Sequence, residues 1–352
     1  MTRPTGRRSR RGDLTESGHD TPIAWSAAQA IEFLVRPGPN DNKLRRGVLA
    51  LRTGSAAYPG AAVLGAEAAW RTGVGLLRFV SPQDDEPPHS GLPTPAAAVL
   101  AARPETLFLP GDRATADIAD AWVVGSGTDP ARRSTAETEA LARLLGGTAP
   151  VVVDAGALGL VAEPSHGGTP PAAPCILTPH RGEFLTLWAA AELGERPDGW
   201  PVRGRGDRDR ALAPPVLAAA AARLAARLGH TVLLKGSVTH VATPLGAVFV
   251  TAPATPWLAT AGTGDVLAGI LGALVAAHAD AVREDPELLG PLGASAAALH
   301  DAAARTASGD PLALPPSGLP GGGPITAADV ARALPVTLRG LLESLDSGAS
   351  GR

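Results

Sequence analysis

The sequence predicts an α/β fold in which a mostly parallel sheet lies between layers of helix. Three observations predict it. From Gly47 onward, short apolar runs alternate with alanine-rich stretches of helical length. Several runs, Val151–Val153 among them, are apolar at every position, as strands covered on both faces are. Finally, 45% of the 352 residues are apolar, enough for one large core or two smaller ones.

The elements follow in order. Residues 1–22 include Arg7-Arg8-Ser9-Arg10-Arg11, with no apolar segment of signal-peptide length behind it, and are expected to form a disordered tail. Ser26–Leu34 has a helical pattern with Ser26 as its N-cap. Strands are expected at Val48–Leu51, Leu76–Val80, Leu107–Leu109, Trp122–Val124, Val151–Asp154, Cys175–Thr178 and Val232–Leu234. His240–Thr243 and Val248–Thr251 flank Pro244-Leu245-Gly246 and read as a hairpin. Helices are expected at Gly60–Arg71, Thr135–Leu145, Pro215–Leu228, Val266–Ala279 and Ala294–Ala307. Glu163–Pro174, Gly194–Arg210 and Ser308–Gly323 are rich in glycine, proline or charge and read as surface loops. None of the three is long enough to be a domain. The expectation is one domain over residues 23–347 and a short tail at 348–352.

Composition excludes some classes of function. The formal net charge is −3, so no global basic field points to nucleic acid. Only two of the 31 basic residues, Lys43 and Lys235, are lysine, a bias that deprives arginine abundance of functional meaning. The single Cys175 rules out an intramolecular disulfide and a multi-cysteine metal site, and it fits a reducing cytoplasm. The longest apolar run, Val266–Ala279, is too short to span a bilayer and contains His278, so no membrane partner is expected.

Chemistry concentrates in Ala259-Thr260-Ala261-Gly262-Thr263-Gly264-Asp265-Val266. Glycines let backbone approach a ligand. The N–H groups of a starting helix attract phosphate. An aspartate there can take a proton from a hydroxyl as that hydroxyl attacks phosphorus. Four other segments lie at predicted strand ends, where α/β sheets bind ligands. Thr53-Gly54-Ser55-Ala56-Ala57-Tyr58-Pro59-Gly60-Ala61 links a strand to a helix and reads alone as a glycine turn. Asp154 ends an apolar strand and could support a metal ion, fix a loop or act as a cap. In Thr178-Pro179-His180-Arg181-Gly182-Glu183, His180 can donate to or accept from a ligand, and Glu183 suits a helix start. Lys235-Gly236-Ser237-Val238-Thr239 offers a cation, a glycine and hydroxyls that suit nucleotide phosphates.

In order and spacing, these segments over residues 25–345 resemble the ribokinase-like family of ADP-dependent NAD(P)H-hydrate dehydratases, which repair hydrated nicotinamide cofactors. The most distinctive matches are Gly54-Ser55 with Tyr58-Pro59-Gly60-Ala61, Thr178-Pro179-His180 with Gly182-Glu183, Leu234-Lys235-Gly236, and Gly262-Thr263-Gly264-Asp265. The resemblance implies a three-layer α/β/α domain. It implies phosphorylation of the 6-hydroxyl of hydrated NADH or NADPH by ADP, then loss of phosphate. On it, Asp265 is the base, and Gly262, Thr263 and Gly264 form the anion turn. Lys235, Gly236, Ser237, Val238, Thr239 and Gly264 bind the nucleotide. Ala61, Gly127, His180 and Asp265 contact the hydrated cofactor. Mg2+ is expected with the nucleotide, without a dedicated protein cage. A separately encoded epimerase is the expected functional partner, and a homo-oligomer is compatible with the family.

The chain departs from the family pattern at several points. A Gly-Pro-Gly-Leu-Gly turn becomes Gly125-Ser126-Gly127-Thr128-Asp129, and Asp-Ala-Asp-Ala-Leu-Asn becomes Asp154-Ala155-Gly156-Ala157-Leu158-Gly159. Ala261 stands for a glycine, and Ala254-Thr255 for an Asn-Gly pair. Two other readings share the Gly262–Asp265 motif: a ribokinase-like kinase of a small molecule such as a vitamin precursor, and a degenerate nucleotide-binding protein without turnover.

Overall fold

The computed structural model describes residues 21–83, 91–162, 171–197, 200, 214–311 and 321–349. Nearly all of the N-terminal tail and most of the three expected loops lie outside these residues. Ten strands form one sheet: β1 (Ile23–Trp25), β2 (Val48–Arg52), β3 (Leu76–Val80), β4 (Leu107–Leu109), β5 (Ala121–Val124), β6 (Val151–Val153), β7 (Cys175–Leu177), β8 (Thr231–Leu234), β9 (His240–Ala242) and β10 (Val248–Thr251). Their spatial order is β1-β10-β9-β8-β7-β6-β5-β2-β3-β4. All neighbours are parallel except β9, which runs antiparallel to β8 and β10. The expected hairpin is therefore present, with Gly246 at φ 98° in its turn.

The helices are α1 (Ala27–Ala30), α2 (Pro59–Thr72), α3 (Pro95–Ala102), α4 (Thr135–Leu145), α5 (Gly159–Ala162), α6 (Arg181–Ala190), α7 (Pro214–Leu228), α8 (Thr263–Ala277), α9 (Ala279–Glu284), α10 (Leu289–Ser308) and α11 (Ala327–Ala349). They cover both faces. One core joins Leu49, Val123, Val152, Ile176 and Leu233 of the sheet to α2, α8, α10 and α11. The other joins Ala50, Trp122, Val151, Val153 and Leu234 to α4, α6 and α7. Side chains alternate across a strand, so Val151–Val153 feeds both cores and must be apolar throughout.

Several boundaries differ from the sequence reading. The helix expected over Ser26–Leu34 is four α residues followed by a 3-10 turn at Ile31–Phe33. Ser26 is its N-cap, and its N–H donates to Gln29 Oε1 at 2.9 Å. The helix expected from Val266 starts three residues earlier, at Thr263. It ends at Ala277, and a second helix starts after His278. β1 has no apolar run long enough to announce it and takes its register from β10. α11 carries Pro335 inside it, a residue that normally ends a helix, and was not expected.

Candidate active site

Strand order creates a crevice at the carboxyl edge of the sheet. β2 continues to β3 and β4 on one side, whereas the strands from β5 to β8 build out on the other. Connections that diverge in this way leave a gap between the two strands, where α/β sheets bind ligands. Two of the segments singled out in the sequence meet there. Gly54 N–H donates to Ser126 O at 2.7 Å. Gly127 has φ 66°, and a Cβ on it would fall 2.4 Å from Ala61 Cβ and 3.2 Å from Tyr58 O. Only glycine lets the two turns close in this way, and it brings Ala61 and Gly127 into contact.

The start of α8 lies against α2: a Cβ on Gly262 would fall 2.6 Å from Leu64 Cδ1, and one on Gly65 would fall 3.7 Å from Asp265 O. α2 begins at Pro59 and α8 at Thr263. Their small residues let the helices cross closely: a Cβ on Gly269 would lie 2.3 Å from Gly65 O. Gly262, in the left-handed region at φ 89°, is the N-cap of α8. Asp265 therefore lies within the first turn of α8, beside N–H groups that have no partner inside the helix. Thr263 adds backbone to this turn, but its hydroxyl is committed to Leu258 O and Thr260 O at 3.0 Å each.

A buried charged cluster faces that turn. Asp154 is 3% exposed. It accepts from Ser126 Oγ at 2.8 Å, from Thr178 Oγ1 at 2.6 Å and from Lys235 Nζ at 2.8 Å. Lys235 Nζ is also 4.0 Å from Glu183 Oε2 and 3.7 Å from where a Cβ on Gly264 would be. Burial alone would push the Asp154 carboxyl up, but the Lys235 ammonium and the hydrogen bonds hold it below its ordinary value. Burial works against the Lys235 charge, yet Asp154, Glu183 and Asp265 keep its pKa above the ordinary value. Asp265 has gone the other way: burial first, then the Asp154 charge, push it up to about 6 against the pull of Lys235.

His180 is more constrained than the sequence suggests. It is the N-cap of α6, and its Nδ1 accepts from Gly182 N and Glu183 N at 3.0 Å each. Glu183 reciprocates by accepting from His180 N at 2.7 Å, completing a capping box. With Nδ1 used as an acceptor, the ring proton of the neutral side chain sits on Nε2. The exposed edge of His180 can then only donate to a ligand.

A cavity of about 510 Å³ opens beside the charged cluster. Lys235, Gly236, Ser237, Thr239 and Gly264, expected at the nucleotide, line it together with His180, expected at the hydrated cofactor; Val238 does not. Thr255 and His300 also line it, and neither was anticipated as a site residue. His300 is 8% exposed, and its Nε2 is buried without a hydrogen bond. Burial, reinforced by the Lys235 charge, lowers its pKa to about 4, so the ring is neutral at physiological pH. A larger hollow of about 770 Å³ shares only Thr251 and Asp301 with this cavity and contains no candidate site residue.

The departures from the family pattern have physical counterparts. A Cβ at Gly156 would fall 2.3 Å from Thr128 O and 2.5 Å from Thr128 Oγ1. The altered turn at 125–129 and the missing carboxylate at 156 are thus neighbours in space, and the glycine makes room for the threonine. Thr255 anchors its own loop: its N–H donates to Asp301 Oδ1 at 2.7 Å and its hydroxyl to Asp310 Oδ2 at 2.6 Å. Arg305 binds both of those carboxylates. Ala261 is exposed.

Ser126 was seen only as a departure from a glycine turn, and Thr178 only as part of a motif. Their shared role appears once β5, β6 and β7 are known to be adjacent, since both hydroxyls then flank Asp154. A lone histidine in an alanine-rich helix gave no signal for His300.

Comparisons with known proteins agree with this geometry. Residues 49–316 match the profile of the NAD(P)H-hydrate dehydratase family. The chain is 36% identical over 260 residues to the bifunctional NAD(P)H-hydrate repair enzyme of Mycobacterium tuberculosis, covering 73% of this chain and 47% of that one. It thus spans about half the length of the first curated relatives it matches. It is 32% identical to the ADP-dependent (S)-NAD(P)H-hydrate dehydratase of Xanthomonas campestris, covering 72% of this chain and 81% of that one. In fold it is similar to the ADP/ATP-dependent NAD(P)H-hydrate dehydratase of Bacillus subtilis co-crystallised with ATP/Mg2+, with TM-score 0.66, 24% identity, and 91% and 98% of the two chains covered. A ribokinase-like superfamily protein of Enterococcus faecalis superposes with TM-score 0.65 at 20% identity, over 91% and 96% of the two chains. With the three-layer ribokinase-like fold and a profile match across most of its length, this chain belongs to the NAD(P)H-hydrate dehydratase family.

Proposed function

We propose that this chain uses ADP to dehydrate (6S)-NADHX and (6S)-NADPHX, restoring NADH and NADPH. The observation that carries the reading is Asp265, a carboxyl with its pKa pushed up to about 6, in the first turn of α8 beside Gly264, which lines the cavity with Lys235, and against Gly65, four residues along α2 from Ala61. A base serves best when its pKa approaches the working pH.

In the first step Asp265 takes the proton of the 6-hydroxyl. The oxygen attacks the β-phosphorus of ADP, a new O–P bond forms, and AMP leaves. The N–H groups of Gly262, Thr263 and Gly264 receive the negative charge that develops. In the second step the ring nitrogen pushes electrons inward, the C6–O bond breaks and phosphate departs. Loss of the C5 proton then restores the ring double bond. Water leaves overall, its oxygen carried off on phosphate. The protein's contribution is placement of the two substrates and neutralisation of charge. Ala61, Gly127 and His180 would contact the hydrated cofactor, with His180 donating through Nε2. Lys235, Gly236, Ser237, Val238, Thr239 and Gly264 would surround the nucleotide, Val238 through backbone.

Mg2+ would arrive on the nucleotide. Among the described residues no three His, Cys, Asp or Glu side chains form a group that could hold a metal. Asp154 is already engaged by three donors. The ion therefore fits as one held by phosphates and water. The same reading takes residues 23–347 as one dehydratase domain between tails at 1–22 and 348–352. It also takes an epimerase as functional partner, and the cytoplasm as the place of action. Among the described residues no helix is long and apolar enough to cross a membrane.

Purified protein given ADP, Mg2+ and the S hydrate should regenerate absorbance at the NADH wavelength and release AMP and phosphate in equal amounts. Absence of turnover while both ligands bind would leave the nucleotide-binding reading. A stable phosphorylated product from another hydroxylated substrate would favour the kinase reading, which the shared Gly262–Asp265 motif keeps open.

A further inference from the structure

We propose that Asp154 is a positioning residue for the reaction: it anchors the Lys235 ammonium in front of the first turn of α8, so that one cation serves two carboxylates, Asp154 and Asp265. The proposal rests on the reading of Asp265 as the base and gives a task to a carboxylate that the reaction itself does not touch.

The geometry assigns the task in three steps. First, Asp154 cannot act on substrate, because Ser126, Thr178 and Lys235 all donate to it and it is 3% exposed. Second, those donors come from the ends of β5, β7 and β8, on either side of β6, which carries Asp154 itself. Asp154 thus ties together four adjacent strand ends. Third, Lys235 reaches from Asp154 toward α8, where its Nζ would lie 3.7 Å from a Cβ on Gly264. A long, flexible side chain is held in one place by a buried partner, and its free side faces the residue next to Asp265.

Other charged groups do not compete for this role. Glu183 on α6 stands 4.0 Å from Lys235 Nζ and is tied to His180 N. On α10, His300 is neutral, and Asp301 binds Arg305. On α2, Glu67 pairs with Arg71 and Arg103, and on α11 Asp329 pairs with Arg332. Arg52 at the end of β2 is committed to Glu137. The charges that act on Asp265 are then Asp154, which disfavours its ionised form, and Lys235, which favours it.

This arrangement has a signature that a purely structural role would lack. Removing Lys235 takes an attracting cation from Asp265, whereas removing Asp154 takes away a repelling carboxylate and leaves the ammonium, still flanked by Glu183, to Asp265, so the two changes must move its titration in opposite directions. The experiment follows the Asp265 side-chain carboxyl by 13C NMR through pH 4–8 in wild type, Asp154→Asn, Lys235→Met and Lys235→Arg. The wild-type midpoint is expected near 6, well above the ordinary carboxylate range. Asp154→Asn should lower it by about one unit and Lys235→Met raise it by about one unit, the usual scale for a neighbouring charge. Lys235→Arg should stay close to wild type. The acid limb of kcat should move in step with the NMR midpoint. An unmoved midpoint in both neutralising variants would overturn the proposal, as would shifts of the same sign, which general loosening of the site would give. If Lys235→Met fails to fold, the near-isosteric Asp154→Asn and the charge-conserving Lys235→Arg still decide the matter. Loss of the proposed function would show separately, as a wild type that titrates as described but makes no NAD(P)H.

Discussion

The two sides of the carboxyl edge are built on different physics. Between β2 and β5, the site is made of backbone in contact: Gly54 bonded to Ser126, Gly127 against Ala61 and Tyr58. From β6 to β8, it is made of charge: Asp154, Lys235 and Glu183, with Asp265 facing them. The first side is intolerant of added volume and indifferent to pH. The second tolerates changes of similar shape but responds to every change of charge. Substitutions on the two sides should therefore fail in different ways.

The largest effect is expected from Asp265→Asn, which keeps shape and removes the proposed base. Turnover should fall by about 10²–10⁴-fold while nucleotide binding persists. The same change should stabilise the fold. A carboxyl whose pKa rises on folding, here from 3.8 to about 6, contributes stability below its unfolded value and loses it as pH climbs through its folded value. Asp265→Asn should then be more stable than wild type at pH 8, by up to about 3 kcal/mol, and the gain should vanish near pH 4. Urea denaturation at the two pH values checks the sign. Equal stability at both would mean that the site is not strained by charge.

Next comes Gly127→Ala on the packed side. A side chain in the left-handed region costs about 1–2 kcal/mol, and forcing a methyl into a filled space costs about 1–3 kcal/mol more. Denaturation midpoints should fall by the same amount at every pH, and the KM for the hydrate should rise. A pH-dependent loss would erase the contrast between the two sides. The third effect is the pH profile of the wild type: kcat should climb to a plateau as Asp265 ionises, standing at about a tenth of the plateau one unit below its pKa. The smallest effect belongs to His180→Ala, which removes the N-cap of α6 at a cost of about 1 kcal/mol. It also deletes the Nε2 donor, so the KM for the hydrate should rise. A change in nucleotide KM instead would move His180 to the other substrate.

Much of this edge was legible in the sequence. Continuous apolar runs such as Val151–Val153 declare strands buried on both faces, and the chemistry-bearing residues follow them directly. Gly262-Thr263-Gly264-Asp265 announced a helix start, although the apolar run hid its first three residues inside the motif. Other features depend on proximity that a linear sequence does not hold. Ser126, Asp154, Thr178 and Lys235 are spread along the chain, and only the strand order makes them one cluster. Val238 sat in the right motif but does not line the cavity, because the chain bends through Gly236–Val238 and only the residues on either side of Val238 face it. His300 reaches the cavity from α10, an element that carries no motif of its own. β1 and α11 were missed because one is too short for a pattern and the other contains Pro335.

The backbone of the two binding segments has a consequence of its own. Beyond the ends of β7 and β8 the parallel pairing resumes for one more rung, His180 opposite Lys235, with Lys235 N–H donating to Pro179 O at 2.9 Å. The residue proposed to meet the hydrated cofactor and the residue proposed to meet the nucleotide thus stand on adjoining rails of one ladder. Their separation is metered by the roughly 4.8 Å spacing of hydrogen-bonded strands rather than by the reach of a loop. Loops at this edge can lengthen or change composition without altering that gauge. The gap across which a phosphoryl group would pass in the proposed reaction is, in this sense, ruled off by the sheet itself.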